Sequence, residues 1–221
     1  MSTLVPNSIA ILIPAFNEEA TIAEVVQGAM SLGKVIVIND GSSDGTEQCA
    51  LDAGAWVLNL SQNTGYEGAL SAGFQFALNR DFAFALTLDA DGQHPIDAAK
   101  AVIESMGDAD IVVGVRQKKQ RISEFIAGWI AKKLWGISDP FSGLKLYRLE
   151  SCKSLGKFDT RKLVGTEMLS RAYREDLFLN SVSIDTVNRL DQPRIGNSFK
   201  ANLKILRATF LFVAISWGLI S

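Results

Sequence analysis

Two aspartates flank one small residue in Asp89-Ala90-Asp91-Gly92-Gln93-His94-Pro95, directly after the apolar run Phe84–Leu88. That places two carboxylates at the end of a buried strand. Carboxylates brought so close repel unless a proton or a cation neutralises them. Hard oxygen ligands of this kind suit Mg2+ or Mn2+, with phosphate oxygens filling other coordination positions, and Gln93 can add a side-chain oxygen. A plainer use of the same aspartates is to cap the helix expected from Ile96. Two more polar clusters follow apolar runs in the same manner: Pro14-Ala15-Phe16-Asn17-Glu18-Glu19, and Asn39-Asp40-Gly41-Ser42-Ser43-Asp44-Gly45-Thr46. Asp40 can accept hydrogen bonds from a nucleobase N–H or a ribose hydroxyl, whereas Asp44 reads as a turn or helix cap. Glu18 suits the first turn of a helix as well as a ligand, and Phe16 suits a core as well as a pocket.

These clusters need a frame that brings them together. Ile9–Ile13, Val35–Ile38, Trp56–Leu60, Phe84–Leu88 and Ile111–Val115 read as short strands, the first with the unbroken apolar character of a strand buried on both faces. Between them, residues 18–32, 46–53, 65–80 and 96–106 have helical spacing. This alternation predicts a parallel sheet covered by helices on both sides. Right-handed crossovers put the strand carboxyl ends on one edge, where ligands of open α/β sheets bind. The second half is less regular: a helix over 123–135, a loop over 138–143, a strand over 144–148, a helix over 165–175, a strand over 178–187 and a polar loop over 192–200. The final apolar stretch, Ala208–Ile220, would span about 20 Å as a helix, short of a hydrocarbon core of about 30 Å. It fits an interfacial helix, a core or oligomer helix, or the start of a membrane segment.

A chain of 221 residues suits one domain. Two cysteines, Cys49 and Cys152, make neither a disulfide framework nor a zinc site, and a single histidine, His94, excludes a multi-histidine metal centre. With no basic-plus-apolar leader in the opening residues, a reduced, cytoplasmic compartment is expected. The net charge of -2 hides a division. Residues 1–113 hold 3 Lys/Arg and 15 Asp/Glu, while residues 114–221 hold 19 and 9. An acidic half can hold a divalent cation, and a basic half can meet phosphate or an anionic membrane surface. The charges can equally alternate over a folded surface.

The three clusters resemble those of GT-A-fold glycosyltransferases of family 2, and within it the polyprenyl-phosphate glycosyltransferases, the group that includes dolichyl-phosphate mannose synthase. Asn63-Thr64-Gly65-Tyr66-Glu67-Gly68-Ala69-Leu70, Asp91-Gly92-Gln93-His94-Pro95 and Asp139-Pro140-Phe141-Ser142-Gly143 are similar to further segments of that group. The resemblance implies an α/β, GT-A (Rossmann-like) fold with a mostly parallel sheet flanked by helices. Residues 1–202 would form the catalytic domain, and 203–221 a C-terminal apolar helix at the membrane. It implies an inverting, metal-dependent transfer of a sugar from a UDP- or GDP-sugar to a polyprenyl phosphate, at the inner face of the cytoplasmic membrane. No nucleic-acid partner is implied; a homo-oligomer or a membrane subunit is compatible.

Carried over residue by residue, Pro14, Phe16, Glu18, Ile38 and Asp40 would line the nucleoside pocket. Asp89, Ala90, Asp91 and Gln93 would hold the metal (Mg2+ or Mn2+) and the diphosphate, with Asp91 catalytic. Arg116 would contact donor or acceptor phosphate. Arg194 and Lys200 fall in a basic loop that closes over phosphates in the family, although here Phe199 intervenes between Ser198 and Lys200. A lipid phosphate acceptor needs no strong base; a hydroxyl acceptor would need one, with Asp139 or Glu167 as candidates. The alternatives are a family 2 enzyme acting on a hydroxyl acceptor in cell-surface polysaccharide synthesis, and a non-catalytic glycosyltransferase-like subunit. A glycine-rich loop after the first strand is missing, which excludes a dinucleotide dehydrogenase and argues against a sugar nucleotidyltransferase. No Gln-x-x-Arg-Trp segment marks a polysaccharide synthase.

Overall fold

Alternate residues of the first strand enter two different cores. Ile9, Ile11 and Ile13 join one buried cluster, and Ala10 and Leu12 join another on the opposite face. A strand of period two with apolar residues on both faces must be covered by helices on both sides. The computed structural model describes Val5, residues 8–117, 121–155, Phe158, Arg161, Leu163, 165–186 and 199–220, without the side chains of 199–201. Within these residues the chain runs β1 (Ile9–Ala15), α1 (Ile22–Ala29), β2 (Lys34–Asn39), α2 (Thr46–Asp52), β3 (Trp56–Asn59), α3 (Tyr66–Leu78), β4 (Phe84–Thr87), α4 (Ile96–Glu104), β5 (Ile111–Arg116) and α5 (Ile122–Trp135). It continues through β6 (Lys145–Arg148), α6 (Leu149–Lys153), α7 (Glu167–Arg174), β7 (Leu179–Ile184) and α8 (Phe199–Ser216).

The described strands form one sheet in the order β3-β2-β1-β4-β6-β5-β7. Helices α1 and α4 contribute to the core on one face; α3, α5, α7 and α8 contribute to the other. Every pairing is parallel except those of β6, which is antiparallel to both β4 and β5. The reason lies in the preceding excursion. It leaves the sheet at Arg116, and Asp139, at its far end, returns to hydrogen-bond Arg116. A segment that starts and finishes at the same sheet edge can re-enter only in the reverse direction. Helix α5 is therefore no crossover helix.

Strand β1 was expected to stop at Pro14 but runs on to Ala15. Its pairing with β4 ends at Leu12↔Thr87, while its pairing with β2 continues to Ala15↔Asn39. A proline without an N–H is tolerated where the ladder on one side has already parted. Helix α1 starts at Ile22, four residues later than the spacing suggested, because Glu18 and Glu19 belong to the site loop. The terminal helix α8 begins at Phe199, well before the apolar stretch. Ile205, Phe212 and Ile215 are buried, and α8 packs on α7 and α5.

Candidate active site

The loops after β1 and β2 are fastened to each other by reciprocal hydrogen bonds. Asn17, in the left-handed region at φ 55°, donates its N–H to Ser42 Oγ (3.0 Å), and its Oδ1 accepts the Ser43 N–H (2.9 Å). The N–H of Glu18 donates to Thr46 Oγ1 (2.8 Å), that of Glu19 to Asp44 Oδ2 (3.2 Å), and that of Gly45 to Glu19 Oε2 (3.1 Å). Burial by itself would raise the Asp44 carboxyl. The Thr46 hydroxyl and the N–H groups of Thr46 and Glu19 outweigh it and hold the group below its ordinary value of 3.8.

Asp40, at the end of β2, is buried. Its Oδ1 accepts the N–H (2.7 Å) and hydroxyl (2.8 Å) of Thr64, and its Oδ2 accepts the N–H of Gly65 (2.8 Å). In this arrangement the carboxylate anchors the start of α3. Gly65, at φ 80° and ψ 170°, provides a backbone turn that an L side chain resists, and it launches Tyr66 as the first residue of the helix. The Tyr66 hydroxyl donates to Asp89, and burial together with the charge of Asp89 pushes this phenol well above its ordinary value of 10.0. One continuous connection thus runs from Asp40, through Thr64, Gly65 and Tyr66, to the first aspartate of the Asp-x-Asp pair.

Asp89 is the centre of this edge. His94 Nε2 lies 3.4 Å from its Oδ2, and the imidazole is buried with no hydrogen-bond partner for Nδ1 among the described residues. Across from it, Gly143 lies so close that an added Cβ would collide with the Asp89 carboxylate. Ala90 is buried, and Asp91 Oδ1 accepts the Gln93 N–H (3.0 Å). Among the described residues no three His, Cys, Asp or Glu side chains cluster as a cage for a metal ion. The donor set fits a cation that is completed by its substrate. Mg2+ and Mn2+ sites of that type use one or two carboxylates and take further oxygens from phosphates. The carboxylate of Asp89 is also kept one-quarter exposed at the edge.

Arg116 ends β5 on the same edge. Its Nε and Nη2 grip Asp139 Oδ2 and Oδ1 at 2.7 and 3.0 Å, and its own N–H adds a third bond to Oδ2 (3.3 Å). Burial would lower the guanidinium, but the hydrogen bond and charge of Asp139, with the charges of Glu124 and Asp89, raise it above its ordinary value. As placed, Asp139 orients Arg116, because both of its oxygens are engaged in a bidentate pair with the guanidinium.

Several expected residues are placed differently from the reading of the sequence. Ile38 is fully buried under Gly73 of α3, so its side chain supports the neighbouring Asp40 from the core instead of lining an open pocket. Glu167, a base candidate, is likewise fully buried and accepts from the Arg171 guanidinium and the Arg161 N–H. Pro14 is half-buried, Phe16 is exposed and Glu18 is half-buried, all on the β1 side of the edge. Arg194 and the side chain of Lys200 lie outside the described residues. Two site residues escaped the sequence reading. Tyr66 stood inside a quoted segment with no chemistry attached to it. Lys145 alternates with Leu144 and Leu146 like a solvent-facing residue, yet it is buried. Its Nζ donates to the carbonyls of Ser142 (2.6 Å) and Gly165 (3.3 Å), fixing the loop that backs Asp89.

With this geometry in view, residues 10–155 match the model of glycosyl transferase family 2. The chain belongs to that family. An uncharacterised protein of Methanocaldococcus jannaschii is 30% identical over 218 residues, covering 90% of each chain. The UDP-N-acetylglucosamine–dolichyl-phosphate N-acetylglucosaminyltransferase of Methanococcus voltae is 28% identical over 214 residues, covering 81% of this chain and 85% of that one. The glucosyl-3-phosphoglycerate synthase of Mycobacterium tuberculosis, solved with Mn2+ and UDP-glucose, superposes with a TM-score of 0.75 at 20% identity, covering 95% of this chain and 79% of that one. The fold of this glycosyltransferase is therefore GT-A, as its three loops implied.

Proposed function

We propose that this glycosyltransferase moves a sugar, with inversion, from a UDP- or GDP-sugar to a polyprenyl phosphate at the inner face of the cytoplasmic membrane. The observation that carries the reading is the convergence on one sheet edge of Asp89, held by Tyr66 and backed by Gly143, with an arginine, Arg116, aimed by Asp139. A similar protein of Methanococcus voltae is named for a UDP-linked donor and a dolichyl phosphate acceptor. The catalytic domain would comprise residues 1–202 together with the inward face of α8, whose Ile205 and Phe212 join the core, with the outward face of 203–221 turned to the membrane. No helix among the described residues is long and apolar enough to cross a bilayer.

The chemistry follows from charge placement. The nucleoside would rest against Pro14, Phe16, Glu18 and the Asn39–Asp40 strand end. Asp89 and Asp91, with Ala90 and Gln93 shaping their loop, would hold Mg2+ or Mn2+, which when bound neutralises charge on the diphosphate. An oxygen of the acceptor phosphate attacks the sugar C1 from the face opposite the diphosphate. The bond from C1 to the diphosphate oxygen breaks, and its electron pair leaves with the nucleoside diphosphate. The attacking phosphate is already ionised near neutral pH, so no proton has to be removed. Arg116, kept charged and oriented by Asp139, stabilises the phosphate oxygens at that position. Arg194 and Lys200 would add positive charge over the diphosphate.

The test is transfer of label from a panel of UDP- and GDP-sugars into an organic-extractable product, with polyprenyl phosphate, Mn2+ or Mg2+, and a chelator control. Chelator-sensitive lipid-linked sugar from one donor is the expected result. Metal-dependent release of nucleoside diphosphate with no lipid product would move the acceptor to a hydroxyl compound. Donor binding with no turnover would overturn the catalytic reading.

A further inference from the structure

Helices α5 and α8 lie side by side and parallel. Ser123 near the start of α5 donates to Asn202 near the start of α8 (2.6 Å). At the far ends the Trp135 indole N–H donates to Ser216 Oγ (3.1 Å), and the ring packs on Phe212 at 4.7 Å between centroids. Their inward faces are buried in the domain. Their outward faces are apolar. On α5, Ile122, Phe125, Ile126 and Trp129 recur at one-turn spacing and are 80, 58, 47 and 65% exposed. On α8, Leu203, Leu206 and Phe210 form a second stripe, 57, 44 and 73% exposed, continued by Trp217 just beyond the helix. Large apolar side chains in continuous stripes on two adjoining helices mark a docking surface.

The charges around the stripes identify the occupant. Lys132 and Lys133 are exposed at the end of α5, and Lys204 and Arg207 are exposed on α8. Helix α8 contains no acidic residue, and the only acidic residue of α5, Glu124, is buried and paired with Arg121. Exposed charge on both helices is therefore of one sign. Trp129 and Trp217 carry the amphipathic rings favoured at the headgroup level of a bilayer. Apolar stripes, flanking cations and interfacial tryptophans are the attributes of helices that lie in the plane of an anionic membrane.

We propose that the outward faces of α5 and α8 together form the surface by which this protein docks on an anionic lipid bilayer, both helices lying flat in the interface. The excursion that contains α5 leaves and rejoins the sheet at Arg116 and Asp139, so docking would bring that pair close to the plane of lipid phosphates. The inference deepens the proposed function, resting on it for the purpose of docking but not for the surface itself.

The experiment is cosedimentation of the full chain with phosphatidylcholine vesicles, with and without phosphatidylglycerol, at low and high salt. Salt-sensitive binding to the anionic vesicles is expected, with quenching of tryptophan emission by brominated lipid. Phe125→Glu with Phe210→Glu should weaken binding about tenfold or more. Lys132→Glu with Lys133→Glu should weaken binding to the anionic vesicles selectively, about fivefold per charge lost. No vesicle binding by the unaltered chain, or undiminished binding by both variants, overturns the proposal. So does a dimer that the phenylalanine variant dissociates while vesicles remain unbound. A short-chain prenyl phosphate, supplied without vesicles, separates docking from catalysis. The phenylalanine variant should turn it over normally, and loss of that turnover would assign the stripes to the site and overturn docking. Vesicle binding without transfer to any prenyl phosphate would support the surface and remove the proposed acceptor.

Discussion

The acidic loops over the first half of the sheet and the basic helices of the second half use their charges in different ways. In the first half Asp40, Asp44 and Glu19 accept hydrogen bonds from backbone N–H groups and hydroxyls of neighbouring loops. Much of that negative charge is internal scaffolding, which holds three loops in register around Asp89. In the second half Arg116, Arg121 and Arg171 are drawn inward to Asp139, Glu124 and Glu167, whereas Lys132, Lys133, Lys204 and Arg207 remain at the surface. A charge count by halves therefore misstates both regions. The acidic half contains fewer carboxylates for a ligand than its total implies, and the basic half spends its cations both inside the site and outside it.

If scaffolding carboxylates and ligand carboxylates are separate classes, substitutions should sort by class. Asp91→Ala should lower transfer about a thousandfold or more while leaving the thermal unfolding midpoint nearly unchanged. Turnover close to that of the unaltered enzyme would remove Asp91 from the ligand class. Gly143→Ala should damage both properties, because the new methyl group must displace the Asp89 carboxylate or its own loop. A displacement of about 1 Å is expected to cost about a hundredfold in rate, and the crowding about 1–3 kcal/mol of stability. Calorimetry and initial rates on one preparation measure the two together.

Asp40→Asn tests the scaffold directly. Loss of one carboxyl oxygen as acceptor for Thr64 and Gly65 should cost about 1–3 kcal/mol in urea unfolding. It should also lower kcat by disturbing Tyr66 beneath Asp89, and Thr64→Val should reproduce part of both effects. An effect on donor KM alone would place Asp40 with the ligand carboxylates instead. The smallest effect is expected at Asp44. Its folded pKa lies below the unfolded one, so its contribution is present above about pH 4 and is lost as pH falls through the folded value. Asp44→Asn should lower the urea midpoint at pH 7, and the difference between the two proteins should shrink as pH falls through the folded value. A difference that persists at acid pH would point to packing rather than charge.

What the sequence disclosed follows the same division. Strands β1 to β5 are short, mainly apolar runs between turn residues, so their existence was legible, and the three loops of the candidate site with them. The reversal of β6 was hidden, because direction depends on where the chain between residues 117 and 138 goes, and no local pattern encodes that. The first half of α8 was masked by Lys204 and Arg207, although Ile205, Phe212 and Ile215 recur on one helical face and could have extended it. Within the site, the Asp-x-Asp pair was read from residue type, and Arg116 from the family resemblance. The burial of Lys145 and the inward pairing of Glu167 contradict residue type and emerge only from tertiary packing. Tyr66 was unreadable as a partner of Asp89 because the link runs through the pinned loop at Thr64 and Gly65.

The reversed strand also acts as a ruler. By lying between β4 and β5, β6 holds the strand that carries Asp89 and the strand that ends in Arg116 two strand spacings apart, about 10 Å. Neighbouring strands would stand at half that separation, enough for an ion pair and too little for a sugar ring with its phosphate between them. For the proposed reaction, the width between the Asp89 and Arg116 sides would thus be set by the order of the backbone, and side-chain substitutions would alter what fills it without changing its span.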